Sequence, residues 1–176
     1  MLAAAGVEFE IVPSNVDERG VKAVGVDVAR ELAAAKAINV SGKHPQAWVI
    51  GSDSVVSVGG RLFNKPSNRD EAADHLRFFS GKPMLLTSAV ALARGGKLDW
   101  SHGETATLNV RDLSDEYIET YLDAEWPEVG YTVGVFRLEA RGVQLFSSID
   151  GDYFTVLGMP LLPLLGALRE RGQLSA

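Results

Sequence analysis

The chain has 176 residues, of which 46% are hydrophobic and 23% charged, with a formal net charge of -6 and no cysteine. That length suits one domain with a full core, and the absence of cysteine excludes disulfides, thiolate metal sites and cysteine nucleophiles. The acidic balance argues against a duplex nucleic-acid binder, whose footprint is a basic patch. No run reaches the roughly 18 apolar residues of a membrane span, and apolar Met1–Val7 lacks the basic region of a signal peptide, so the chain reads as cytoplasmic.

In chain order, Met1–Ala5 reads as the tail of a helix that Gly6 stops, and Val7–Pro13 as a short strand followed by a polar turn through Glu18. Asp27 can cap a helix running to Ile38. The run Ala47–Val58 is first continuously apolar and then alternating, as in an interior strand that ends in a polar turn. Gly59-Gly60 turns it into Arg61–Phe63. Ser67, three residues before Asp70, opens a helix over Asn68–Phe79, which Gly81 closes. Met84–Ala93 and Lys97–Val110 form two more strands. Ser114 starts a helix that Trp126-Pro127 ends, Val133–Ile149 reads as a strand pair, and a last helix covers Leu161–Arg171. Strands and helices alternate, with several hairpins, which predicts an α/β fold on a mixed sheet.

Asp53, in Gly51-Ser52-Asp53-Ser54, stands where open α/β sheets place functional groups, and could hold a cation or take a proton from water. It could equally be a turn aspartate bonding its own backbone. Lys65, fixed by Pro66, could meet a phosphate as a point charge, although most surface lysines are only solvated. Glu18 and Lys36 form a second pair of opposite charge, each ordinary by itself. Glu104, Asp150 and Asp152 add carboxylates that could approach a metal. With these donors the metal would be Mg²⁺ or Mn²⁺. His44, His75 and His102 have no ligand spacing. No phosphate loop of the G-x-x-x-x-G-K-[ST] type occurs, and the helix after Gly59-Gly60-Arg61 lacks the glutamates of a Nudix box.

The order of these pieces resembles the Maf family along nearly the whole chain. The matching segments include Val49-Ile50-Gly51-Ser52-Asp53-Ser54-Val55-Val56, Lys65-Pro66, Leu113-Ser114-Asp115-Glu116 and Asp150-Gly151-Asp152-Tyr153-Phe154-Thr155-Val156. The resemblance implies a single domain over 1–176, with an elongated mixed β-sheet, flanking helices and two lobes around a nucleotide cleft. It implies cleavage of a nucleoside triphosphate to the monophosphate and pyrophosphate, with Mg²⁺ or Mn²⁺. By position it makes Asp53, Lys36 and Lys65 catalytic, Glu18 and Asp53 metal ligands, and Ser54, Glu139 and Arg137 substrate-binding. It further implies a homodimer, and a first strand with a Ser-x-Ser-x-Arg-Arg loop that the family carries and this chain lacks.

Glu139 falls where the family varies between Gln and Glu. A carboxylate only accepts hydrogen bonds, which suits the adjacent donors of guanine, whereas an amide suits uracil or thymine. The resemblance therefore points to 7-methyl-GTP, with dTTP or UTP as the alternative base choice. An ordinary rim glutamate paired with Arg137 or Arg141 is the competing reading. A nucleotide-binding protein with weakened turnover, acting in cell division, is the reading from another class.

Overall fold

The computed structural model describes residues 1–16 and 26–175, and only the backbone of Val26. Its elements are α1 (Val26–Lys43), β1 (Val49–Val58), β2 (Arg61–Phe63), α2 (Arg69–Phe79), β3 (Pro83–Arg94), β4 (Lys97–Val110), α3 (Asp115–Glu125), β5 (Phe146–Asp150), α4 (Tyr153–Val156) and α5 (Leu161–Glu170). The strands form one five-stranded sheet in the order β2-β1-β3-β4-β5, so the fold is α/β, a sheet flanked by helices. β1 pairs antiparallel with β2, with Val56 opposite Phe63, and β4 pairs antiparallel with β5, with Leu108 opposite Ile149. Among the described residues no helix is long and apolar enough to cross a membrane.

The chain divides into two compact units. The first comprises Met1–Ser54, Thr87–Glu104 and Asp152–Ala176. Its core sets Val90 and Leu92 of β3 against Leu164, Ala167 and Leu168 of α5, with Trp48, Ile50 and Met159 packed around them. α1 turns Ala29, Leu32, Ala33, Ala37 and Val40 inward, the three- and four-residue spacing of one helical face. It runs past the expected end at Ile38 because Val40 and Ser41 are buried and Ser41 Oγ accepts from the Gly96 amide at 3.1 Å. Tertiary packing there outweighs the weak helix propensity of Asn39, Ser41 and Gly42.

The second unit comprises Val55–Leu86 and Thr105–Gly151. α2 and α3 pack on one another, burying Leu76 and Phe79 from one and Ile118 and Leu122 from the other. Their outer faces are laced by Arg69 to Glu119 and Asp123, and by Arg77 to Asp115. The cap of α2 differs from the expected one. Asn68, not Ser67, accepts from the Glu71 amide at 2.8 Å, while Ser67 donates its amide and hydroxyl to the Glu71 carboxylate. Ser114 caps α3 as its sequence position implied, accepting from Tyr117 N.

Two expected strands are not strands. Val7–Pro13 joins no ladder, and Phe9, Ile11 and Val12 stay 48%, 85% and 42% exposed. Alternating residues make a strand only where an edge pairs with them, and among the described residues none does. Val133–Ile149 contributes only β5 to the sheet. Its earlier part is a set of turns and the 3-10 segment Arg141–Leu145, because its apolar side chains fold inward around Val135, Phe136 and Leu145, all buried.

Candidate functional site

Gly51 brings the charged pair of the first unit together. A Cβ at this position would lie 2.2 Å from the Ala33 carbonyl oxygen and 2.7 Å from the Ala37 amide nitrogen. Only glycine lets β1 approach α1 so closely, which is the usual reason for a glycine inside a strand. Side chains alternate along a strand, so Asp53 shares the α1 face with Gly51. Lys36, one turn beyond Ala33, meets it there. Lys36 Nζ lies 2.5 Å from Asp53 Oδ1, with the side chains 22% and 11% exposed. Such a charge-assisted bond fixes both groups on rigid elements near the surface.

Ser52 and Ser54 face the other side of β1. Ser52 Oγ lies 2.9 Å from both Ala89 O and Gly158 O. Ser54 Oγ lies 2.7 Å from Ser88 Oγ and 3.2 Å from Gly158 O. Each hydroxyl has one proton. Because Ser88 donates its own to Thr155 O, Ser54 must be the donor to Ser88, and Ser52 shares its one proton between Ala89 O and Gly158 O. The result ties β1 and β3 to the segment after α4, and it engages the Ser54 hydroxyl inside the unit.

Glu104 accepts from Thr155 Oγ1 at 2.7 Å and pairs with His102 Nε2 at 2.8 Å. Asp152 caps α4 by accepting from the Thr155 amide at 2.9 Å. Both acids thus anchor local structure. Among the described residues no group of three His, Asp or Glu side chains is placed to hold a metal. Glu18 lies outside the described residues. Beside Lys36 opens a cavity of about 600 Å³, walled by Val40, Trp48, Ile50, Ser52 and the segment around Phe9.

The remaining candidates belong to the second unit. Lys65 is exposed in the loop between β2 and α2. Arg137 and Glu139 lie on a turn closed by the Ala140 amide donating to Arg137 O at 3.2 Å. Glu139 is exposed and makes no ion pair among the described residues. The Arg137 guanidinium turns instead to Glu125, at 3.3 Å.

Glu125 and Tyr121 are not among the sequence candidates for the site. They sit one turn apart on the inner face of α3. Tyr121 donates its hydroxyl to Val135 O at 3.0 Å. Burial first, and then the charge of Glu125, raise its phenol pKa well above the usual range. Val135 is fully buried with a φ of 56°, a left-handed conformation that costs a β-branched residue about 1–3 kcal/mol. Gly142 lets the chain close behind it, since a Cβ there would lie 2.5 Å from Arg137 O. Glu125 is 7% exposed and ends α3, where the helix dipole disfavours an acid. A buried acid in that position implies a cationic partner, and that is the signal by which it could have been found.

The chain covers most of the length of several curated proteins. It is 44% identical to the nucleoside triphosphate pyrophosphatase of Nitrobacter hamburgensis over 180 residues, 99% of this chain and 89% of that protein. It is 45% identical to the 7-methyl-GTP pyrophosphatase of Rhizobium etli over 179 residues, with 98% and 90% covered. Its identity to the 7-methyl-GTP pyrophosphatase of Brucella suis is 46% over 177 residues, with 97% and 89% covered. The family profile described as Maf-like protein matches residues 1–171, and the chain belongs to the Maf family.

Proposed function

We propose that this protein is a nucleoside triphosphate pyrophosphatase with 7-methyl-GTP as its preferred substrate. The observation that carries the reading is the Lys36–Asp53 pair, 2.5 Å apart and partly open to solvent, in a chain whose relatives bear pyrophosphatase names. Water attacks the α-phosphorus, the bond from that phosphorus to the bridging oxygen breaks, and pyrophosphate leaves. Asp53 takes the proton of the attacking water. Lys36 and Lys65 neutralise charge on the phosphate oxygens, and Arg137 and Ser54 contact the nucleotide, Ser54 only as an acceptor because its proton goes to Ser88. The exposed carboxylate of Glu139 faces the base and accepts from its donors.

A divalent cation fits this donor set. Mg²⁺ is usually held by one or two carboxylates, its remaining positions being filled by water and substrate phosphates, so it needs no protein cage of three acids. Asp53 would hold it, with Glu18 as the second carboxylate. When bound it would screen phosphate charge and acidify water. Mn²⁺ could replace it. We assign the reaction to the cytoplasm and expect a homodimer that binds nucleotides and not nucleic acid.

The test is turnover of a panel comprising 7-methyl-GTP, GTP, dTTP and UTP with Mg²⁺ or Mn²⁺. Asp53→Asn is expected to lower kcat by about 10²–10⁴-fold. Pyrophosphate release that persists undiminished in this variant overturns the assignment of Asp53, and a preference for dTTP or UTP overturns the base.

A further inference from the structure

The irregular segment 132–142 of the second unit is more tightly built than its turns require. Two side chains one helical turn apart on α3 grip two alternate residues of the segment. Tyr121 holds the carbonyl of Val135, and Glu125 holds the guanidinium of Arg137. Thr132 Oγ1 adds a third tie, accepting from the Phe136 amide at 3.1 Å. Arg137 Nε is buried without a hydrogen-bond partner, while the side chain as a whole is 36% exposed.

Glu139, two residues along the same turn, has a carboxylate that a long guanidinium side chain could reach and neutralise. In the structure Arg137 pairs with Glu125 instead. We infer that Glu125 is a positioning residue for base recognition: by holding Arg137, it keeps the Glu139 carboxylate free to accept from the base. The inference rests on the reading that Glu139 faces the base.

The fit is one of geometry and charge. Glu125 is 7% exposed, so its charge acts through a less polar medium than water and competes well for Arg137 against the exposed Glu139. Val135, in its left-handed conformation, lies two residues before Arg137, and its carbonyl is held by Tyr121. Among the described residues Glu125 is the acid that pairs with that guanidinium.

The experiment measures kcat and KM of the full chain for 7-methyl-GTP and UTP in five variants. Glu139→Gln should lower the ratio of kcat/KM for 7-methyl-GTP over UTP by about tenfold or more. Glu125→Gln should lower it comparably, mainly through KM for 7-methyl-GTP, and the double variant should be no worse than Glu139→Gln alone. Glu125→Asp keeps the charge and should return the ratio to within about threefold of the native value. Combining Arg137→Gln with Glu125→Gln removes the competing cation, so turnover falls for both nucleotides together while the ratio recovers. Additive losses in the Glu125→Gln/Glu139→Gln pair, or a fall in kcat shared equally by both nucleotides, overturn the role of Glu125 alone. A ratio unmoved by Glu139→Gln overturns the base reading and the inference together.

Discussion

The Lys36–Asp53 pair and the 132–142 segment both hold charged groups at fixed points, by opposite means. The pair rests on regular elements. An alanine-lined helix lies against a glycine of a strand, and no backbone angle departs from its ordinary range. The segment has no regular hydrogen-bond ladder, and α3 holds it through side chains while Val135 keeps an unfavourable φ of 56°. The first arrangement depends on the space between two backbones. The second depends on individual bonds to Tyr121 and Glu125. A substitution that adds volume should therefore injure the first most, and substitutions that remove single bonds should injure the second.

The largest effect should come from Gly51→Ala. The added Cβ meets a carbonyl oxygen and an amide nitrogen of α1, and neither can rotate away as a side chain end could. Overpacking of this kind costs about 1–3 kcal/mol, occasionally more, and the value here should lie at the upper end. With roughly 2–4 °C of Tm per kcal/mol for a chain of this size, thermal denaturation should show a fall of about 10 °C. Turnover should fall too, because Lys36 and Asp53 move apart. Adding Ala33→Gly should not rescue it, since the clash is with backbone. A Tm within 2 °C of the native value, allowing about 1 kcal/mol at most, would show that the contact is loose and the contrast between the regions empty.

A smaller effect separates strained from unstrained valines. Val90 and Val135 are both fully buried, but only Val135 is left-handed. Replacing either with glycine loses about the same apolar burial. At position 135 the change also releases strain, so Val135→Gly should cost about 1–2 kcal/mol less than Val90→Gly in urea denaturation. Equal losses would mean that the segment stores no strain. Tyr121→Phe should follow, at about 1–2 kcal/mol, because it leaves the buried Val135 carbonyl without its donor. The same hydroxyl deletion at Tyr131, which is 69% exposed, should be within about 0.5 kcal/mol of neutral.

The contrast also explains what the sequence could reveal. β1, the β3–β4 hairpin and the start of α3 follow from local signals: an apolar run, paired glycines, and Ser114 ahead of a helical face; α2 is legible too, but its cap falls to Asn68 and not to the expected Ser67. Lys36 and Asp53 were each visible as candidates, but their contact depends on how near α1 lies to Gly51, which no local pattern encodes. The segment 133–145 imitates a strand because its apolar residues recur, yet Val135 and Phe136 are adjacent and both buried, which a pleated strand with one inner face does not permit. In the sequence Glu125 is only part of a helix end next to Trp126-Pro127. Its partner lies 12 residues on, across a segment whose path only the packing of α3 determines.

The smallest expected effect concerns acid, and it too should distinguish the two regions. His75 on α2 is 8% exposed, its ring set edge-on against Phe63 at 5.0 Å, and its Nδ1 buried without a partner. Burial holds its pKa below the usual histidine value, a shift that Glu71, with an oxygen 3.7 Å from Nε2, partly opposes. The folded protein therefore keeps the ring neutral where the unfolded chain would protonate it, starting near pH 6.5. Above that pH the full stability is present. As pH falls below it, the unfolded state binds the extra proton and stability declines, until the native ring also protonates and the slope vanishes. His75→Leu should remove this component. Urea midpoints at pH 7, 6 and 5 should fall less steeply in the variant than in the native chain. If the His75→Leu variant follows the native curve in parallel, the buried imidazole gives the second unit no sensitivity to acid of its own.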